Sequence, residues 1–363
     1  MLDWLGQFSD VWGPLRLLSS QLFLSAVGVL LTALGTALVL KSFASTWLPR
    51  DRGRDHAVSS EEAKGKPTGA GMLFIPVYLL VCLLVVPISP EHVLVYCAVL
   101  LAAISGFLDD RSVIAWGEYR KAFLDLAIAF GAAACIFGPE PVEIWVPLWA
   151  PKVIDPVTQQ TLGLDQILLP ATLSWPLGAI VLWISINTTN CSDGVDGLSG
   201  SLLAFAFVLL GGILYGVVGQ EAIASYLLVP YYPQASQWGI MALTMVGSLG
   251  SYLWFNAHPS ALLMGDAGSR PLGLLLGIFV LTSGNVFLLP IVAGIVLVNG
   301  GTGLVKVALL RFLRIGIFRK VRFPLHDHVR AKLGWSNTQV LVRFLILQAL
   351  LAPLLIVLLL KIR

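Results

Sequence analysis

This chain of 363 residues is poor in charge: Asp, Glu, Lys and Arg together make up 12% of it. A soluble globular chain carries about 25%. So few charges cannot coat a water-facing surface. The hydrophobic share of 57% and a mean hydropathy of +0.86 exclude a disordered or collagen-like chain as well. Cysteine is scarcer still, with four residues. Cys82, Cys97, Cys135 and Cys191 fall in or at the ends of apolar runs, so they read as small buried hydrophobes and not as a secreted disulfide framework. No internal repeat or low-complexity tract stands out, and residues 1–363 are expected to form a single domain. What remains is an all-α, polytopic membrane protein.

A spanning helix needs roughly 20 apolar residues, and a bilayer offers its backbone no other hydrogen-bond partner. Charge-free runs occur at 17–40, 67–90, 92–108, 166–192, 197–220 and 344–360, and 122–139 is interrupted only by Asp125. Two longer runs are expected to divide. The run 222–265 breaks at an outer loop around Pro230 to Gln234, leaving a span at 236–256, and 271–305 breaks at Ser283-Gly284-Asn285. The reading predicts ten transmembrane helices. The first is too long, and lacks the small-residue site, for a cleavable signal peptide.

Charge then sets orientation. The loops at 41–66, 109–121, 190–196, 257–270 and 306–343 hold 19 Lys and Arg against 11 Asp and Glu; the segments on the other side hold four against eight. The positive-inside rule makes those five loops cytoplasmic and both termini periplasmic. The longest periplasmic loop, 140–172, is rich in Pro, Trp and Val, with room for a small hairpin and no evident chemistry.

All the unusual polar clusters fall on the cytoplasmic side. A transporter places its ionisable groups near mid-bilayer instead. The one clear mid-span charge, Asp125, lies four residues after Lys121 and is expected to pair with it along the helix. Asp109 and Asp110 end a span. Adjacent carboxylates repel, and a helix C-terminus disfavours acids, so a cation is expected beside them. Mg2+ suits one or two carboxylates plus phosphate oxygens. Asn187, Asn190, Asp193 and Asp196 recur every third residue, with Gly194 and Gly197 allowing close backbone approach; a ligand-binding turn is expected. Asp266, in Met264-Gly-Asp-Ala-Gly-Ser269, is a metal ligand or a helix cap. His326-Asp-His328 follows a basic run, Arg311 to Arg322, which reads as a contact with anionic membrane lipids; the histidines suit phosphate better than zinc.

These motifs, in this order, resemble those of the phospho-N-acetylmuramoyl-pentapeptide transferases, in the polyprenyl-phosphate N-acetylhexosamine-1-phosphate transferase superfamily. They are Pro67-Thr68, Gly106-Phe-Leu-Asp-Asp110, Asn187 to Leu198, Phe255-Asn-x-His-Pro259 running into Met264 to Ser269, and Pro324-x-His326-x-His328 followed by Gly334-Trp335-Ser336. The resemblance spans the whole chain. It implies an Mg2+-dependent transferase of the bacterial inner membrane, active at the cytoplasmic face. Phospho-MurNAc-pentapeptide would pass from UDP-MurNAc-pentapeptide to undecaprenyl phosphate, giving lipid I and UMP for peptidoglycan synthesis. It further implies Asp266 as metal ligand and Asp109, Asp110, Lys121, His326 and His328 as the other catalytic residues. Lys64 or Lys66, Thr68, Asn187, Asn190, Asp193, Gly194, Asp196 and Asn256 would contact substrate. A homodimer is expected and a nucleic-acid partner is not. The alternative is a sister enzyme that transfers GlcNAc-1-phosphate to a polyprenyl phosphate. Four features depart from the family pattern. Asp327 stands where the central histidine of a triplet is expected, the loop from His328 to Gly334-Trp335 is a residue longer than usual, Ala63 stands where a lysine is expected, and the segment between Asp110 and Lys121 is short.

Overall fold

The computed structural model describes residues 2–6, 13–53, 63–114, 116–145, 152–154, 161–163, 166–227, 229–318 and 320–361. The chain is mostly helical. Eleven helices carry the architecture: α1 (Gln21–Trp47), α2 (Gly71–Val85), α3 (Pro90–Arg111), α4 (Glu118–Phe137), α5 (Ala171–Ser192), α6 (Leu198–Val218), α7 (Ala235–Asn256), α8 (Asp266–Leu281), α9 (Gly294–Phe312), α10 (Leu325–Leu333) and α11 (Asn337–Lys361). Local signals fix several starts. The Ser20 hydroxyl accepts the Phe23 N–H ahead of α1; Ser89 does the same for His92, with Pro90 opening α3.

Among the described residues, seven helices are long and apolar enough to cross a membrane: α1, α3, α5, α6, α7, α9 and the Asn337–Leu359 part of α11. Three further helices occupy expected spans without meeting that measure. Helix α2 has 15 residues and α8 has 16; α4 opens with Glu118, Arg120 and Lys121 and carries Asp125. The expected all-α class needs one amendment. The 140–172 segment holds two small antiparallel ladders, β1 (Val142–Trp145) with β4 (Gln166–Leu169) and β2 (Lys152–Ile154) with β3 (Thr161–Gly163).

Helix α8 is the axis of the bundle. All of its residues are buried, and α2, α3, α4, α5 and α6 pack around it. Lipid gives apolar side chains no reason to leave it, so helices in a membrane associate through close backbone approach and hydrogen bonds. Both devices are present. Gly106 of α3 lies directly on the backbone of Asp266 and Ala267, where any Cβ would collide. Along the α1–α7 seam Thr32 donates to the Thr244 carbonyl at 2.8 Å, Ser251 donates to the Ala33 carbonyl at 2.6 Å, and the Thr36 and Ser248 hydroxyls are 3.1 Å apart. Leu22, Leu30, Leu34 and Leu38 of α1 point outward from the bundle.

Candidate active site

Four helix ends converge at one pole of the bundle. The last turn of α3 brings Asp109 and Asp110, the first turn of α4 brings Lys121, the last turn of α5 brings Asn190, and α8 begins with Asp266. Lys121 is the hub. Its Nζ contacts the Asp109 carboxylate and lies 3.1 Å from Asp266 Oδ2. Asp266 Oδ1 accepts Asn190 Nδ2 at 2.9 Å, and the same nitrogen donates to Ser269 Oγ at 3.0 Å. Asp109 Oδ1 accepts the Trp116 N–H at 2.8 Å. Asp109 and Asp266 are only 7% and 4% exposed, so water screens their repulsion little and the ammonium between them must offset it.

Lys121 therefore does not pair with Asp125 along α4, as the four-residue spacing suggested. Asp125 is buried and bound instead to Arg270 of α8, whose Nε donates to Asp125 Oδ1 at 2.9 Å. Two cross-helix pairs replace one pair along the helix, because α8 presents an acid and a base at the matching heights.

Asp110 has a different task from its neighbour. Its Oδ1 and Oδ2 accept the backbone N–H groups of Asp266 and Ala267, each at 3.0 Å. It thus closes the N-terminus of α8, whose own preceding residue, Gly265, has no side chain to do so and sits at φ +69.

A second cluster adjoins the first through the chain. Helix α5 ends at Ser192 with Asp193 as its cap, so the three-residue spacing of Asn187 to Asp196 does not continue on one helical face. Asn187 Nδ2 turns back to the Trp183 carbonyl at 2.9 Å. Asp196 accepts Ser260 Oγ at 2.8 Å, the Ser260 N–H at 3.1 Å and His258 Nδ1 at 2.9 Å, and Lys66 Nζ donates to Ser260 Oγ at 2.9 Å. Burial alone would raise the Asp196 pKa; the His258 and Ser260 hydrogen bonds prevail and hold it below the usual carboxylate value. Asn256 bridges two loops, accepting the Gly197 N–H and donating to the Leu262 carbonyl, both at 2.8 Å. Thr68 is buried in a segment whose backbone pairs with Leu263 and Met264, whereas Lys64 is exposed.

The third element is α10. His326 is buried; its N–H and Nδ1 lie 2.9 and 3.1 Å from Asn299 Oδ1, and its ring rests on Gly194. A π-helical turn at Leu297–Gly301 inside α9 carries Asn299. His328 Nδ1 faces the Arg322 N–H at 3.2 Å. Asp327 lies among Arg322 at 3.8 Å, Arg330 at 3.7 Å and His326 at 3.9 Å.

Asp109, Asp110, Lys121, Asn190 and Asp266 thus meet in one contact network. Asp196 with Lys66, and Gly194 with His326, adjoin it. Asn187 bonds the Trp183 carbonyl and His328 faces the Arg322 N–H, while Lys64 is exposed. Ser260, Arg270 and Asn299 complete these networks without having been singled out from the sequence, and His258 and Ser269 belong to quoted motifs in which neither was given a role.

Among the described residues, no three His, Cys, Asp and Glu side chains gather around one point. Magnesium does not require that, since it binds through one or two carboxylates plus phosphate oxygens and water. Asp109 and Asp266 form such a pair, all-oxygen, desolvated and already assembled around a positive charge. The donor set fits magnesium.

Residues 92–284 match the family model described as glycosyl transferase family 4. A phospho-N-acetylmuramoyl-pentapeptide-transferase of Treponema pallidum is 44% identical over 366 residues, covering 100% of this chain and 97% of the relative. The chain belongs to the phospho-N-acetylmuramoyl-pentapeptide-transferase family. Relatives with the same name in Wolinella succinogenes, at 31% identity over 82% of this chain and 81% of the relative, and in Maricaulis maris, at 28% over 90% of each, extend the likeness. As a member of this transferase family with seven membrane-length apolar helices among its described residues, the protein is an integral membrane protein. The matched region of the family model holds Asp109, Asp110, Lys121, Asn190 and Asp266; His326 and Lys66 lie beyond it.

Proposed function

We propose that this protein is a phosphoglycosyl transferase that moves phospho-MurNAc-pentapeptide from UDP-MurNAc-pentapeptide to undecaprenyl phosphate. The products are lipid I and UMP, and the step is the first membrane stage of peptidoglycan synthesis. The full-length likeness to transferases of that name supports the reaction. One observation in the site carries the reading: Lys121 is held between two buried carboxylates from separate helices, Asp109 and Asp266.

The reaction brings together two anions, a lipid phosphate and a sugar pyrophosphate, and their repulsion is the first barrier. Lys121 supplies a fixed positive charge where they meet. Asp266 and Asp109 would hold a magnesium ion, which when bound neutralises and orients the pyrophosphate oxygens. Asn190 fixes the rotamer of Asp266, and Asp110 fixes the helix that carries it. The α8 N-terminus adds the partial positive charge of its N–H groups to the same place. An oxygen of the lipid phosphate attacks the β-phosphorus in line; the bond from that phosphorus to the bridging oxygen breaks, and the oxygen leaves with UMP. His326, resting on Gly194, and Lys66, bound to Ser260 beside Asp196, lie where the nucleotide sugar enters.

The same reading has ten transmembrane helices, with α2, α4 and α8 joining the seven longer ones and both termini periplasmic. The site then lies on the cytoplasmic face of the inner membrane, where a soluble nucleotide and a lipid-anchored phosphate can meet. The surplus of Lys and Arg in the five loops at that face supports the orientation. Surrounding membrane lipids and a second copy of the chain in a homodimer are part of the same proposal.

Purified full-length protein, given both substrates and Mg2+, should release UMP with matching formation of lipid I. UDP-GlcNAc run in parallel decides between the two superfamily activities. Absence of UMP release with the muramoyl substrate would refute the proposal.

A further inference from the structure

Helices α4 and α8 run side by side with charges at the same four-residue spacing, Lys121 and Asp125 on one, Asp266 and Arg270 on the other. The signs are crossed. Lys121 meets Asp266 and Asp125 meets Arg270. The deeper pair is almost fully enclosed, with Asp125 at 2% and Arg270 at 1% exposure, and Arg270 is among the largest completely buried side chains in the molecule. Two donors of the guanidinium, Nε and one terminal nitrogen, converge on the single oxygen Asp125 Oδ1. The other terminal nitrogen, NH1, has no hydrogen-bond partner among the described residues. A pair that leaves a buried donor unmatched is poorly built for stability. Its geometry serves alignment better.

The alignment follows from the signs. If α8 moved one turn in one direction, about 5.4 Å, Arg270 would face Lys121. One turn in the other direction would bring Asp266 against Asp125. Both slips set like charges together in a dry interior, where repulsion is least screened. Only the observed register satisfies both pairs. Close glycine contacts fix α8 against α2, α3 and α5, but none of them bears on α4, toward which α8 otherwise offers small or aliphatic side chains. The short α8 has no long amphipathic face to set its depth.

We propose that Asp125 and Arg270 are positioning residues: the pair sets the axial register of α8 against α4, so that Lys121 lies between Asp109 and Asp266. Neither residue touches substrate in this reading, and the proposal rests on the transferase activity proposed above.

The test is the double variant Asp125→Leu with Arg270→Leu, assayed in full-length purified protein with UDP-MurNAc-pentapeptide, undecaprenyl phosphate and Mg2+. Replacing a buried pair with apolar side chains need not destabilise the fold. Folded yield and Tm should therefore hold, while kcat falls about tenfold or more. KM for the nucleotide sugar should move less than about twofold, since binding groups are untouched. Wild-type kcat in the folded double variant overturns the proposal, as does a loss that merely tracks unfolded protein. Should the double variant fail to fold, Arg270→Lys and Arg270→Met decide. The charge-keeping variant should retain kcat and the neutral one lose it; equal kcat in the two overturns the proposal. A wild-type protein that releases no UMP defeats the transferase reading instead, so the two failures are distinguishable.

Discussion

The Asp110 carboxylate caps the helix that begins at Asp266, a residue 156 positions away in the chain, with one oxygen on each of the first two N–H groups. Its neighbour Asp109 turns to Lys121 instead. Adjacent acids on one helix end thus do separate work, one holding a charged side chain and the other holding a helix.

That division predicts different phenotypes. Asp110→Ala strips the α8 N-terminus of its cap and leaves two buried donors unmatched. It should lower stability by about 1–3 kcal/mol, visible as a reduced Tm, with activity falling alongside. Asp109→Asn keeps the volume and the Trp116 contact. It should leave Tm near wild type and reduce kcat by roughly a hundredfold or more. A Tm loss in Asp109→Asn equal to that in Asp110→Ala would contradict the assignment.

Asp266→Ala removes the acceptor shared by Lys121 and Asn190 and one of the two carboxylates suited to magnesium. Transfer should cease within the limits of a UMP-release assay, while the variant elutes from size exclusion like the wild type. Chelation of divalent cations should have the same effect on wild-type protein and be reversed by added Mg2+. Undiminished turnover under either condition would defeat the role given to Asp266.

Acid should loosen the loop that carries Asp196. Its folded pKa is depressed below the unfolded value, so its contribution to stability is complete above the ordinary carboxylate pKa, about 3.9, and is lost as pH falls through the lowered value. The expected outcome is a Tm that declines over this acid range in wild type and more weakly in Asp196→Asn. Parallel Tm profiles for the two proteins would show that the His258 and Ser260 hydrogen bonds do not set the shift.

Asp327→His would restore the triplet of histidines that the family resemblance leads one to expect. In this chain the position lies between Arg322 and Arg330. An imidazole there loses both ion pairs and, when protonated, faces two guanidiniums. The substitution should lower Tm, more at pH 6 than at pH 8, and should not raise kcat.

Much of the architecture was legible because each apolar run reports one helix and each break carries its own turn residues; Ser283 to Asn285 does end α8 and Pro230 to Gln234 does precede α7. The family resemblance implied that Asp109, Lys121 and Asp266 serve one catalytic centre, but not that the lysine lies between the two acids. The partner of Asp125 was not legible either. A spacing of four residues names a neighbour on the same helix, and nothing in a linear sequence weighs it against an arginine 145 positions away. Asn299 was hidden for a similar reason, since its contact with His326 depends on a π-helical turn that no composition signal marks. Room for a small hairpin between 140 and 172 was legible; the bounds of its two ladders were not, because they are short and alternate too few times to set a period.

Because its cap belongs to α3, α8 is not a finished element until the two helices dock. During synthesis the carboxylate at 110, at the end of α3, waits for a segment that emerges much later. Until that segment docks, Asp109 and Lys121 lack the second carboxylate of their centre. A half-inserted chain consequently has no assembled centre at which to bind nucleotide, and readiness for chemistry coincides with completion of the bundle.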